Sequence, residues 1–205
     1  IQQFPQARET IRTCRVHFFV NGAMKFDLKV EEPQLHPAFP EPIRIAIPAK
    51  LSWDRGKILT CRPPDYPEGE LELCVSARPL QGQTLGSWNR IDFRGTGVSV
   101  IGWKLIEELA LATPQYGRFL FGRCVLPLLV DPSDSYEMQG REHLNEGSLS
   151  GALYAFIADE ASKVLAKLAG QFASKVATKR RRNLEKLNKR LAHWIESKLS
   201  TLKGL

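Results

Sequence analysis

Residues 88–144 read WNRIDFRGTGVSVIGWKLIEELALATPQYGRFLFGRCVLPLLVDPSDSYEMQGREHL, and their reading decides the fold. They hold the densest run of strand-forming apolar residues in the chain (Val98, Val100, Phe119, Phe121, Val125, Leu128, Val130) and close in a polar, loop-like segment carrying Arg141. Such β-branched and aromatic residues suit a pleated, half-buried surface. The residues before this stretch read as sheet, and those after it as helix. The expected fold class is therefore α+β: an antiparallel-rich β-sheet domain over 1–147, then a long C-terminal helical extension over 148–205.

Working outward toward the N-terminus, Val16, Phe18 and Val20 are answered by Met24, Phe26 and Leu28 across Asn21-Gly22. Asn-Gly between two alternating runs predicts a hairpin, because both central residues of a type I′ turn need positive φ. EEPQLHPAFPEP carries four prolines and reads as a loop that wraps an edge. IRIAIPA, GKILTCR and ELELCVSAR read as strands, the last with Leu71, Leu73 and Val75 on one face. Within 98–109 the residues support two readings. One is a hairpin turning at Gly102-Trp103; the other is a strand followed by a short helix over 104–112, which Leu105, Ile106 and Leu109 suit.

Toward the C-terminus the period changes. Leu149, Leu153, Phe156, Ile157, Val164, Leu165, Leu168, Phe172 and Val176 recur at three and four, and Leu184, Leu187, Leu191, Trp194, Ile195, Leu199 and Leu202 repeat the pattern. Ser148 fits an N-cap. No proline interrupts the run, and because the stripe loses register near 170–179, two helices with a bend there are expected rather than one.

Composition narrows the function classes. At 205 residues, 43% hydrophobic, the chain can bury a core and support one domain plus an appendage. No apolar run approaches the roughly 20 residues that cross a bilayer, and IQQFPQARET lacks the apolar core of a signal peptide. A cytoplasmic, intracellular protein without a membrane partner is expected. The sequence opens at Ile1 without Met, as expected of a segment of a longer polypeptide with further chemistry upstream. Cys14, Cys61, Cys74 and Cys124 have no zinc-ligand spacing and are expected to be buried thiols.

Self-contained catalysis finds little support. Gly95, Gly97 and Gly102 match neither dinucleotide nor phosphate-loop spacing, and they run into a strand rather than a helix. Asp131, Asp134, Glu137, Glu142 and His143 could ligate a metal or form an acid/base pair, but their spacing fits no calcium loop and a solvated loop accounts for them better. Ser148 in GSLSG is not a nucleophile elbow, and His17 and His193 read as packing or surface residues.

The strongest physical feature is KRRRNLEKLNKR, where Lys179, Arg180, Arg181, Arg182, Lys186, Lys189 and Arg190 against Glu185 give +6 of the chain's net +7. Lys179, Arg182, Lys186, Lys189 and Arg190 fall away from Leu184, Leu187 and Leu191, so a cationic flank runs along an amphipathic helix. Such a flank can neutralise phosphates without reading bases, making nucleic acid or an acidic protein the candidate partner. The solvated face of a coiled coil, in a homodimer for example, accounts for it equally well.

On three segments, RGTGVSVIGWKLIEEL, GRFLFGRCVLP and MQGREHL, the stretch resembles the transducer domain beside the ATP-binding domain of the GHKL superfamily (gyrase B, heat-shock chaperone, MutL and MORC-type ATPases). The resemblance covers about a third of the chain. It favours the hairpin at Gly102-Trp103, and it implies that Arg141 approaches the terminal phosphate, where many members carry lysine, while Gln139 and Gly140 shape that loop. ATP and Mg are then cofactors of a separate upstream ATP-binding domain, whose Asn-bearing helix and Gly-rich lid this chain lacks. The expected function is the transducer portion of an ATP-dependent conformational machine, coupling nucleotide state to the helical arm and inactive as an ATPase alone. The alternative is a non-enzymatic nucleic-acid-binding module using the basic helix.

Overall fold

The computed structural model describes residues 16–28, 32–53, 57–60, 68–95, 100–126, 138–139, 143–144 and 148–203. The chain divides into two compact units, Ile1–Leu165 and Ala166–Leu205. The fold is α+β, with a mixed five-stranded sheet and one long C-terminal helix.

The first strands, β1 (Val16–Val20) and β2 (Ala23–Leu28), form the expected hairpin. Asn21 and Gly22 both take positive φ, 52° and 77°, the left-handed pair that a type I′ turn requires. A second hairpin joins β4 (Lys50–Trp53) to β5 (Lys57–Thr60). The five-stranded sheet takes β3 (Ile43–Ile47), β6 (Gly69–Val75), β9 (Leu120–Val125), β7 (Arg90–Arg94) and β8 (Val100–Leu105), in that spatial order. Neighbours are antiparallel except β7 and β9, which run parallel. Asn89 holds that crossing: its Nδ2 donates to the carbonyls of Gly117 (2.9 Å) and Leu120 (2.8 Å). The last strands, β10 (Met138–Gln139) and β11 (His143–Leu144), form a short antiparallel ladder.

Alternation gives the sheet two unlike faces. Ile45, Leu71 and Cys124 stand in register on one face, as do Ile43, Leu73, Gly122 and Ile91. Leu71, Leu73, Ile91, Phe93, Leu120 and Cys124 there are wholly removed from solvent. The opposite face carries, again in register, Arg44, Glu72, Arg123, Asp92 and Trp103.

The helix Ser148–Lys203 begins in the core of the first unit, where Ala152, Leu153, Ile157, Ala158, Ala161, Val164 and Leu165 are buried. Tyr154 meets Phe93 edge-on with centroids 5.8 Å apart, and Lys104 Nζ sits 5.1 Å from the same ring. Ser162 Oγ accepts the Ala112 N–H at 3.0 Å.

Two expectations are corrected. One uninterrupted helix, rather than two, runs through 170–179. The lost register is a change of helix side: at about 100° per residue, the apolar residues of 152–168 and those of 184–195 fall roughly half a turn apart. Residues 100–109 also differ from both readings. β8 runs straight through Gly102 and Trp103, which pair with Phe93 and Asp92, and beyond Leu105 there is only a 3₁₀ turn, Ile106–Glu108. Gly102 is buried opposite Phe93, so this glycine serves close packing rather than turning.

Among the described residues no helix is long and apolar enough to cross a membrane. Cys74 and Cys124 are buried free thiols, whereas Cys14 and Cys61 lie outside the described residues.

Candidate functional site

The charged face of the sheet and the proline-rich loop enclose a cleft of about 240 Å³. The loop is laid along the end of β6: Leu35 bridges Ser76, the His36 N–H donates to the Val75 carbonyl at 2.8 Å, and the Ala77 N–H donates to the Gln34 carbonyl at 2.8 Å. Four prolines remove donors that a strand would need, so this segment binds the edge at single points instead of extending the ladder. Glu32 and Pro33 of the loop face Glu72, Arg90, Asp92 and Arg123 of the sheet.

Cross-strand pairing places the charges where they neutralise one another. Glu72 Oε2 accepts from Arg123 Nη2 at 2.8 Å and lies 3.6 Å from Arg44 Nε, so one buried carboxylate serves guanidiniums from two flanking strands. On β7, Arg90 Nε lies 2.9 Å from Asp92 Oδ1, and its guanidinium stands 4.7 Å from the Trp103 ring centroid. Burial pulls the Arg90 pKa down, and the Asp92 carboxylate works against that pull. Trp88 meets Phe121 edge-on at 5.8 Å. The Cys74 thiol, pushed up to about 12 by burial and then by the Glu72 charge, stays protonated and is no nucleophile at neutral pH. Among the described residues no group of histidines, cysteines or carboxylates could hold a metal ion. The described residues that line the cleft thus form a lattice of paired ions.

The second site lies on the helix. Residues 173–195 are exposed throughout, Lys179, Arg180, Arg181, Arg182, Lys186, Lys189 and Arg190 among them. Lys175, Lys179, Arg182 and Lys186 line one shallow groove with Ser174, Thr178 and Asn183. Intervals of four, three and four residues along a continuous helix bring those cations to one side, and Lys189 and Arg190 extend it. The hydroxyls turn back on the helix: Thr178 Oγ1 donates to the Ser174 carbonyl at 2.9 Å and Ser174 Oγ to that of Gln171 at 3.1 Å. Lysine and arginine are then the groups that project. Arg180 falls instead on the side of Leu184 and Leu187, and Arg181 Nε is engaged by Glu185 Oε1 at 3.2 Å.

Of the residues tied to nucleotide by resemblance, Gln139 ends the strand Met138–Gln139, while Gly140 and Arg141 lie outside the described residues. Asp131, Asp134, Glu137 and Glu142 also lie outside them. Reading the sequence missed Lys175, although its spacing to Lys179 and Arg182 was visible. It also missed Glu72, Arg90, Asp92 and Arg123, which look like solvent-facing residues of alternating strands until the strand order is known. No protein-family model matches the chain, and neither the curated proteins nor the solved structures contain a significant match.

Proposed function

We propose that the chain is a binding module whose C-terminal helix holds the phosphate backbone of nucleic acid without reading its sequence. One observation carries this: Lys175, Lys179, Arg182, Lys186, Lys189 and Arg190 share one side of an exposed helix, and Glu185, the one carboxylate within that span, sits at its margin and engages Arg181. The apolar residues Leu184, Leu187, Leu191 and Trp194 lie on the opposite side. That opposition argues against a lipid surface, because an interfacial helix buries its leucines with its cations flanking them, close to the headgroups. Here, with the leucines embedded, the cations would point into bulk water.

If four to six cations each neutralise one phosphate, the slope of log affinity against log salt is about −4 to −5 on duplex DNA. A fluorescence-anisotropy salt titration measures it. Lys179→Gln, Arg182→Gln and Lys186→Gln together are expected to flatten the slope by about 3, at about 0.9 per lost contact, whereas Arg180→Gln with Arg181→Gln leaves it nearly unchanged. Absent binding at low salt, or equal effects of the two sets, sinks the reading.

A second reading, the coupling part of an ATP-dependent machine, is favoured by a different observation. The helix starts as core of the first unit and continues without interruption into the second. A charge-assisted bond from Arg141 to a terminal phosphate exists only in the nucleotide-bound state, which is how such coupling would begin. ATP and Mg would be held by a separate nucleotide domain, and this chain alone is expected to show no micromolar ATP·Mg binding by titration calorimetry. Micromolar binding overturns that division of labour.

A further inference from the structure

We propose that Leu184, Leu187, Leu191 and Trp194 are the contact of an antiparallel two-helix dimer formed with a second copy of this chain. These side chains stay 62%, 63%, 53% and 59% exposed, and Val176 (51%) and Ile195 (43%) widen the same stripe. Their intervals of three, four and three fill two successive heptads at the seam positions, which is the pattern that one helix presents to another. Dimerisation of this kind does not depend on nucleic-acid binding, since it uses the opposite side of the helix.

Buried area and shape select the occupant and its direction. With the side that carries Lys179, Arg182 and Lys186 turned away from the seam, both phosphate-binding sides remain open. Arg180, one turn before Leu184, and position 198, a lysine five turns further on, fall on the stripe side. Parallel, in-register pairing would set Arg180 and Trp194 each against its own copy; like charges meet at the ends in either direction, and it is the two opposed bulky rings that disfavour the parallel one. Antiparallel pairing sets Trp194 against Leu184 and Leu187 against Leu191, so no ring meets a ring, and it places Arg180 opposite position 198, a lysine, at each end of the seam. Five or six apolar side chains per copy, at about 100 Å² each, bury roughly 1,000 Å² over the pair, the lower end for a specific interface. A micromolar dimer is the expected result.

Sedimentation equilibrium is expected to show a dimer at about 100 µM that dissociates on dilution through the micromolar range. Leu187→Asp with Leu191→Asp is expected to be monomeric with unchanged helix content by circular dichroism, while Lys179→Gln with Lys186→Gln stays dimeric. Direction is read from two single variants, Leu187→Cys and Leu191→Cys, mixed and oxidised, with cross-linked peptides identified by mass spectrometry. Antiparallel pairing gives the mixed 187–191 disulfide, and parallel pairing gives 187–187 and 191–191. A wild-type monomer at about 100 µM, which leaves the stripe to another protein, overturns the proposal, as do disulfides of the parallel kind.

Discussion

At Gly122 the backbone of β9 lies so close to β6 that a methyl group would overlap the Glu72 carbonyl oxygen and press on Ile91 Cδ1 at 3.2 Å. A neighbouring strand's backbone cannot swing aside as a flexible side chain can, so the sheet would have to open. Gly122→Ala is therefore expected to cost about 2 to 3 kcal/mol, at the upper end for overpacked sites, read as a lower urea midpoint with unchanged slope. The same proximity explains why a glycine occupies the middle of a strand flanked on both sides, where its entropy is otherwise a liability. The sequence shows that glycine plainly, but its reason appears only once β6 is known to be the neighbour. Cys74 and Cys124 were easier: free cysteine packs as a small hydrophobe, and both are buried.

Among the elements, the long helix shows how far periodicity reaches. Its apolar spacing is visible from Leu149 onward, yet spacing alone predicts a bend at the point where the stripe changes side. A helix that serves the sheet core with one side and keeps another stripe for a different contact looks, in one dimension, like two helices. Gly170 adds to that impression, but nothing lies within 4 Å of a Cβ built there and the residue is exposed. Gly170→Ala is accordingly expected to stabilise the helix by about 0.5 to 1 kcal/mol, seen as a higher thermal midpoint in the helical circular-dichroism signal. The hairpin at Asn21-Gly22 was fully legible because its signal is contained in two residues of special φ. Residues 98–109 were not, because Gly102 is a turn signal in sequence and a packing residue in the sheet.

At the scale of the molecule, the α+β class was legible from the switch of period at Ser148, and the strands β3 and β6 from their alternation. Strand order was not. The parallel pairing of β7 with β9 joins residues about thirty positions apart and is latched by Asn89, a residue without any pattern around it. The charged cleft depends wholly on that order, so it was invisible, whereas the cationic helix side was largely visible because all its members lie within one element. One consequence concerns how this face can change through descent. Glu72 is the shared counter-ion of Arg44 and Arg123, contributed by the strands on either side. A substitution at position 72 strands two cations on two strands at once, and a substitution at either arginine leaves the other still bound. Positions 44 and 123 are thus free to drift one at a time, while position 72 can move only in company, and related chains should show its replacements arriving together with changes at both neighbours.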